Sequence, residues 1–247
     1  MDKENLAVNT LVFLEQLKQG VLQENLLDLL NAMDITKVEI RREFIQNFDR
    51  ELDAIGNKAK QLNMEVYYSV PELLYKNGEP SFSDLEKYLA EAKVMNATRI
   101  KLGIGEYREA RNEDISKLNK LCEDYNILLT IENDQTQENG QIHKIKQFLE
   151  DVSALGSKIL ATFDIGNWLW QKEDPMTNAK LLKQYVAYIH LKDVKGGENP
   201  QATLLDEGDI EWRQILKELP QVPLALEYPC GSNASEQLAI ELAKLAK

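Results

Sequence analysis

The chain has 247 residues, of which 43% are hydrophobic and 28% charged, and its 29 basic and 41 acidic side chains give a net charge of −12. This is the composition of a globular domain with a sizeable core. The acidic balance argues against binding to nucleic acids or anionic membranes, because both need a basic patch. Cys122 and Cys230 form no disulfide framework, and no signal-peptide core precedes them, so we expect a cytoplasmic protein.

Short apolar segments alternate with longer amphipathic ones along the whole chain, a pattern typical of strands joined by crossover helices. The predicted strands are Leu6–Thr10, Lys37–Arg41, Glu65–Val70, Arg99–Gly103, Leu128–Glu132, Ile159–Asp164, Ala187–Lys192 and Leu224–Glu227, and a last helix is predicted over Glu236–Leu245. Eight such units predict an α/β fold, a (β/α)8 TIM barrel forming one domain over residues 1–247. A doubly wound open sheet is the less favoured alternative, because no glycine-rich phosphate loop follows the first strand.

Two segments that follow predicted strands contain proline and glycine. They are Ser69–Ser81 and Val194–Gly208, and we predict that both are long loops on the face where barrel active sites are built. The helix after the second segment is predicted to begin at Asp209, a residue type that favours the N-cap position.

The last four predicted strands each end in an ionisable side chain: Glu132, Asp164, His190 and Glu227. Their immediate neighbours are large and apolar, so the two-residue period of a strand points the four ionisable groups inward together. Three converging carboxylates repel one another, and a divalent cation would relieve that repulsion. The mainly oxygen donor set favours Mn²⁺, with Mg²⁺, Co²⁺ and Zn²⁺ as alternatives. Strand-end ion pairs with Arg41, Lys101 and Lys192 are the competing interpretation.

The same three basic residues could instead bind the hydroxyl or carboxylate groups of a substrate. Glu39 shares a strand face with Arg41, and we expect it to hold that side chain in place. Trp168 follows the sixth strand and either walls the pocket or packs against a neighbouring loop. His143, the second of the two histidines, is predicted to be a solvated helix residue.

Six motifs point to a known group of proteins. The pattern resembles the xylose isomerase-like sugar isomerase/epimerase superfamily, whose barrel is of the family 2 AP endonuclease type. The motifs are VEIR at Val38–Arg41, TIEND at Thr130–Asp134, FDIGNW at Phe163–Trp168, IHLKD at Ile189–Asp193, EGDIEW at Glu207–Trp212 and LEYP at Leu226–Pro229. More narrowly, ENDQT and TFDIGNWLWQ resemble the epimerase branch associated with 2-ketogluconate utilisation.

The resemblance implies a metal-dependent isomerase or epimerase that acts on a keto-sugar or keto-sugar acid through an enediolate. Glu132, Asp164, His190 and Glu227 would bind the metal, and the two glutamates would also be the acid/base pair. Asn167 stands where many of these epimerases have a histidine that contacts the substrate. It keeps hydrogen-bonding capacity without charge, so the substrate and the reaction stay open.

Three rival functions remain at this point. A dehydratase of sugar-like keto acids would share the barrel and the first proton abstraction. An apurinic endonuclease needs a histidine-rich site with several metals and an attraction to DNA, which two histidines and a charge of −12 disfavour. A non-catalytic sugar-binding barrel would lose an acid/base group, and both glutamates are present. The sequence leaves assembly into a homo-oligomer open.

Overall fold

Parallel strands close into a barrel in the computed structural model, which describes residues 5–245. The strands are β1 (Leu6–Asn9), β2 (Lys37–Arg41), β3 (Glu65–Lys76), β4 (Glu79–Pro80), β5 (Arg99–Gly105), β6 (Leu128–Glu132), β7 (Leu160–Asp164), β8 (Val186–Leu191), β9 (Asp193–Lys195), β10 (Gln201–Thr203) and β11 (Leu224–Leu226). Eight of them form the barrel in the order β2-β1-β11-β8-β7-β6-β5-β3, and a β2–β3 pairing closes it. The predicted TIM barrel is confirmed, and the open doubly wound sheet is excluded. Residues 1–4 and 246–247 of the predicted domain lie outside the described part.

Helices cover the outside of the barrel. They are α1 (Leu14–Lys18), α2 (Gln23–Asn31), α3 (Phe48–Gln61), α4 (Phe82–Val94), α5 (Asn112–Tyr125), α6 (Ile142–Ala154), α7 (Pro175–Leu182), α8 (Trp212–Glu218) and α9 (Ala234–Leu245). Side-chain caps begin some of them: Asn47 accepts a hydrogen bond from the Arg50 amide, and Asp174 accepts one from the Thr177 amide. Between residues 5 and 245, no helix is long and apolar enough to cross a membrane.

Strand alternation divides the buried side chains into two groups. Outward-facing residues such as Ile131 and Phe163 belong to the main core between the strands and the helices. A separate small cluster of Ala7, Tyr67, Tyr188 and Ala225 fills the barrel interior. Because successive side chains of a strand point to opposite faces, the polar residues two positions further along lie inside the barrel above this cluster.

The segment Ser69–Ser81 is not the long loop that the sequence predicted. Strand β3 continues to Lys76 after a register shift between Ser69 and Leu73, and it pairs with β4 across a tight turn. Asn77 and Gly78 form that turn with φ values of 54° and 86°, a left-handed conformation that these two residue types adopt at low cost. The apolar residues of β3 beyond Val70 therefore pack as a strand extension.

The segment Val194–Gly208 also contains regular structure, because β9 and β10 pair as an antiparallel hairpin within it. The predicted helix start at Asp209 was wrong: α8 begins at Trp212. The Asp209 carboxylate instead accepts a hydrogen bond of 2.8 Å from the Gly196 amide. Asp209 therefore fastens the hairpin segment and does not cap the helix.

Candidate metal centre and active site

A pocket of about 350 Å³ opens at the carboxyl ends of the barrel strands. Its lining includes two of the predicted metal ligands and all four polar residues predicted to contact substrate. These lining residues are Arg41, Lys101, Glu132, Asn167, Lys192 and Glu227. Asp164 and His190 lie beneath the pocket surface and are fully buried. The barrel therefore brings eight sequence-selected residues to one place.

The four predicted ligands form a compact group. One ligand atom from each of Glu132, Asp164, His190 and Glu227 lies within 4.8 Å of the others. His190 Nδ1 is 2.5 Å from Oε1 of Glu132 and 3.3 Å from Oε2 of Glu227. These two oxygens, together with Oδ2 of Asp164, are called the inner oxygens below.

Other groups hold the second oxygen of each carboxylate, the outer oxygen. Lys101 donates a 2.6 Å hydrogen bond to Oε2 of Glu132, and Arg41 donates one of 2.7 Å to Oε1 of Glu227. Oδ1 of Asp164 accepts hydrogen bonds of 2.8 Å from the backbone amides of Gly166 and Asn167. Each carboxylate is thus oriented from outside, and this leaves one oxygen facing the centre of the group.

Charge and burial act in opposite directions on these carboxylates. Burial alone would raise the pKa of Glu132, but the charges of Lys101 and His190 outweigh it and lower that pKa to about 2. Burial acts on Glu227 in the same way, and His190, Lys192 and Arg41 hold its pKa well below the usual value. Burial raises the pKa of Asp164 to about 7, because Lys192 only partly offsets it. Glu132 and Glu227 are therefore ionised at neutral pH.

The donor set fits a divalent metal ion. Three carboxylate oxygens and one imidazole nitrogen suit a borderline or hard cation. Oδ2 of Asp164 is buried and lacks a hydrogen bond of good geometry among residues 5–245, although Nζ of Lys192 lies 2.8 Å from it. The ion pairs expected under the competing interpretation are present too: Arg41 and Lys101 contact outer oxygens only, whereas Lys192 contacts the inner oxygens of Asp164 and Glu227. The ion pairs of Arg41 and Lys101 are therefore compatible with a metal site.

Polar side chains beneath His190 form a second layer that supports it. Most of these contacts were not predicted from the sequence. Oε2 of Glu39 accepts hydrogen bonds from Asn9 Nδ2 at 2.8 Å and from the Tyr188 hydroxyl at 3.1 Å. Nε2 of His190 lies 2.8 Å from the same oxygen, although the angle between the two groups is not that of a hydrogen bond. Glu39 and Asn9 share the inward strand face with the site, so the two-residue period was the signal that could have found them.

Asn167 lies at the edge of the pocket and is tied to the neighbouring strand loops. Its side-chain amide donates to the Asn133 carbonyl at 2.9 Å, and its Oδ1 accepts from Gln135 at 3.3 Å. The Asn133 side chain in turn contacts the backbone of Asp164 at both the amide and the carbonyl. Asn167 and Asn133 therefore hold the ends of β6 and β7 together beside the metal ligands.

Two other candidates lie away from the pocket. Trp168 is fully buried, packs against Phe163 with ring centroids 5.4 Å apart, and does not line the pocket. Its placement matches the packing alternative. His143 lies exposed on α6, as the sequence predicted, and lines a different cleft.

The IHLKD and EGDIEW motifs meet through one aspartate. Asp193 accepts hydrogen bonds from the backbone amides of Val194, Gly208 and Ile210, at 2.8, 3.0 and 3.2 Å. A side chain at Gly208 would place its Cβ 2.1 Å from the Asp193 carboxylate, so only glycine fits there. This contact anchors the segment after β8.

One curated relative has a related sequence. The uncharacterized protein YihM of Escherichia coli (strain K12) is 24% identical to this chain over 221 residues, which cover 81% of this chain. The matched part is 63% of the relative, so the chain spans less than two thirds of that protein's length.

Several solved structures share the fold over almost the whole chain. The probable 3-DHS dehydratase AsbF of Bacillus anthracis superposes with a TM-score of 0.74 at 15% identity, covering 98% of this chain and 99% of its own. D-psicose 3-epimerase, solved in the presence of D-fructose, gives 0.73 at 13% identity and 97% of each chain. The IolI protein with a bound zinc atom gives 0.71 at 14% identity, with 98% and 96% covered.

Family membership follows from the sequence profile. The profile of the xylose isomerase-like TIM barrel matches residues 27–247, which contain seven of the eight barrel strands and all four clustered ligands. The fold and the matched profile agree on the same architecture. The chain therefore belongs to the xylose isomerase-like TIM barrel family.

Proposed function

We propose that this protein is a divalent-metal-dependent isomerase or epimerase of a keto-sugar or keto-sugar acid. The observation that carries the proposal is the convergence of three inner oxygens and His190 Nδ1 at the floor of a pocket, with a glutamate on either side of the group. The epimerase and the zinc-containing protein that share this fold support the same chemistry for the site. Mn²⁺ is the favoured ion because oxygen donors predominate.

When bound, the metal ion would polarise the substrate carbonyl and so favour loss of the neighbouring C–H proton. Glu132, Asp164, His190 and Glu227 would hold it. Glu132 or Glu227 takes the proton, and the electron pair of the broken C–H bond forms the enediolate. The other glutamate must carry a proton at that moment and delivers it to the opposite face of the same carbon. This returns the epimer with the protons of the two glutamates exchanged.

The positions of the two glutamates suit this division of work. Strands β6 and β11 are separated in the barrel by β7 and β8, so Glu132 and Glu227 approach from different sides of the group. Their lowered pKa values keep either one able to accept the proton of the substrate at neutral pH, and the one that acts as the acid must first take up a proton from water. Arg41, Lys101, Lys192 and Asn167 supply donors for substrate oxygens along the lining.

The test is deuterium incorporation in heavy water with Mn²⁺-loaded protein and a panel of keto-sugars and keto-acids that includes 2-ketogluconate. We expect exchange at the carbon next to the carbonyl for at least one compound. Glu132→Gln and Glu227→Gln should each slow it by about 10²- to 10⁴-fold, the usual contribution of a general base. Glu123→Gln, which changes an exposed ion pair with Lys158, is the control and should keep full exchange.

Absence of exchange from every compound on the panel would overturn the proposal. Full exchange in either glutamine variant would remove that glutamate from the acid/base pair. Dehydration is the second candidate, favoured by the similarity of the fold to AsbF. Mass analysis of the products decides between the two, because dehydration removes water from the substrate and epimerisation leaves its mass unchanged.

A further inference from the structure

Lys192 differs from the other two cations of the site in the oxygens that it contacts. Lys101 and Arg41 contact outer oxygens, those of Glu132 and Glu227. Nζ of Lys192 lies 2.8 Å from Oε2 of Glu227 and 2.8 Å from Oδ2 of Asp164, and both are inner oxygens. Its ammonium group therefore bridges two of the four ligand atoms that a metal ion would use.

The stem of Lys192 is held in place. A Cβ added to Gly166 would lie 2.4 Å from Cγ of Lys192 and 3.0 Å from its Cδ, so the chain of methylenes passes directly over the Gly166 backbone. The side chain is 7% exposed and still lines the pocket. Rotation about the last bonds can consequently move the ammonium group while the stem stays in its groove.

A second acceptor lies within that range of motion. Oδ1 of Asn167 is 3.5 Å from Nζ of Lys192, on the pocket side of the cluster. An ammonium group that leaves the inner oxygens would keep a partner there and would face the substrate space. Since Lys192 carries three donor hydrogens, it can bind Asn167 and a substrate oxygen together.

We propose that Lys192 competes directly with the metal ion for the inner oxygens of Asp164 and Glu227. Metal binding turns its ammonium group towards Asn167 and the pocket, where it donates to the substrate. Two cations cannot occupy the same carboxylate lone pairs at van der Waals contact without strong repulsion, which is the physical basis of the exchange. This inference rests on the metal-dependent function proposed above.

The first test is Mn²⁺ affinity, measured by electron paramagnetic resonance titration of free Mn²⁺. Lys192→Met and Lys192→Gln should each bind Mn²⁺ on the order of tenfold more tightly than the unchanged protein, the scale of effect that ligand-contacting neighbours have. Lys120→Met is the control: it removes the same charge from an exposed ion pair with Asp124 on α5 and should leave the Mn²⁺ affinity unchanged. The far-ultraviolet circular dichroism of each variant reports whether it is folded.

The second test is positional. A crystal structure of the unchanged protein with Mn²⁺ should show Nζ of Lys192 beyond hydrogen-bond distance of Asp164 Oδ2 and within it of Asn167 Oδ1. Nζ retaining both inner oxygens beside bound Mn²⁺ would overturn the inference, and so would equal Mn²⁺ affinities for the folded Lys192 and Lys120 variants. Failure of the unchanged protein to bind Mn²⁺ at all would overturn the proposed function as well.

Discussion

The two halves of the barrel contribute different chemistry to the site. The second half, β6 to β11, supplies every clustered ligand: Glu132, Asp164, His190 and Glu227. The first half supplies residues that hold those ligands. They are Asn9 on β1, Glu39 and Arg41 on β2, and Lys101 on β5. The ligands therefore come from the second half alone, whereas their cationic and second-layer support comes largely from the first half and reaches them only when the barrel closes.

The pKa values of the carboxylates show what this separation does. Glu132 and Glu227 have cationic partners from the first half, and their pKa values are lowered. Asp164 has no side-chain partner from that half among residues 5–245, and burial raises its pKa to about 7. Lys101 of the first half is the main cation that lowers the pKa of Glu132, whereas His190 and Lys192 do most of this for Glu227 and Arg41 adds to them. These two glutamates form the proposed acid/base pair.

The largest expected effect of breaking this support is on stability. Lys101→Met should lower the free energy of unfolding of the metal-free protein by about 3 kcal/mol, because Glu132 would lose a buried cationic partner. Urea unfolding in the presence of a chelator measures the loss. Addition of Mn²⁺ should recover part of it by supplying another cation to Glu132.

Lys120→Met is the matched control, since Lys120 pairs with Asp124 on the surface of α5 and its side chain is 73% exposed. It should cost less than about 0.5 kcal/mol. Equal losses in the two variants would mean that the first half of the barrel gives the ligands no special support.

A smaller effect is expected on metal binding when the support beneath His190 is altered. Glu39→Gln should weaken Mn²⁺ binding by about tenfold, because the charge beside Nε2 increases the electron density that Nδ1 offers to a metal ion. Electron paramagnetic resonance titration measures the affinity. Glu43→Gln, which changes an exposed partner of Arg41 outside the cluster, is the control and should bind Mn²⁺ nearly as well as the unchanged protein. An unchanged affinity in Glu39→Gln would show that His190 is oriented without Glu39.

The ligands were predictable from the sequence because their signal is local. Each of Glu132, Asp164, His190 and Glu227 ends an apolar strand, and alternation along that strand gives its direction. The supporting residues gave weaker signals. Asn9 reads as the end of a short strand. Glu39 was expected to hold Arg41, but Arg41 pairs with Glu43 and Glu227, and the Glu39 carboxylate instead accepts from Asn9 and from Tyr188, 149 residues away in the chain. Such pairings depend on which strands meet across the barrel, which no local pattern specifies.

The errors in the predicted loops have a similar cause. Pro71 and Pro80 suggested a loop over Ser69–Ser81, but pairing with β5 carries β3 through Pro71 to Lys76. Asp209 has the residue type of an N-cap, and its carboxylate is used by the Gly196 amide instead. Tertiary hydrogen bonds that form on closure thus override turn and cap preferences that are weak in isolation.

The smallest effect is expected within the second layer itself. Tyr188→Phe removes one donor to Glu39 but keeps the buried ring, its edge-on contact with Tyr67 at 5.1 Å and its contact with His190 at 5.0 Å. Asn9 still donates to Glu39, so unfolding should become easier by only about 1 kcal/mol. Tyr67→Phe is the matched control, because its hydroxyl contacts Glu65 at 3.3 Å and not Glu39.

A double-mutant cycle measured by urea unfolding then tests whether the Tyr188 hydroxyl and the Glu39 carboxylate stabilise each other. Tyr188→Phe should couple to Glu39→Gln by about 0.5 kcal/mol or more, since the two share a hydrogen bond, whereas Tyr67→Phe should be additive with it. Additivity for Tyr188→Phe as well would mean that its hydroxyl does not stabilise Glu39. Tyr188 would then support the site by packing alone, and Asn9 would be the neutral donor on which the Glu39 carboxylate depends.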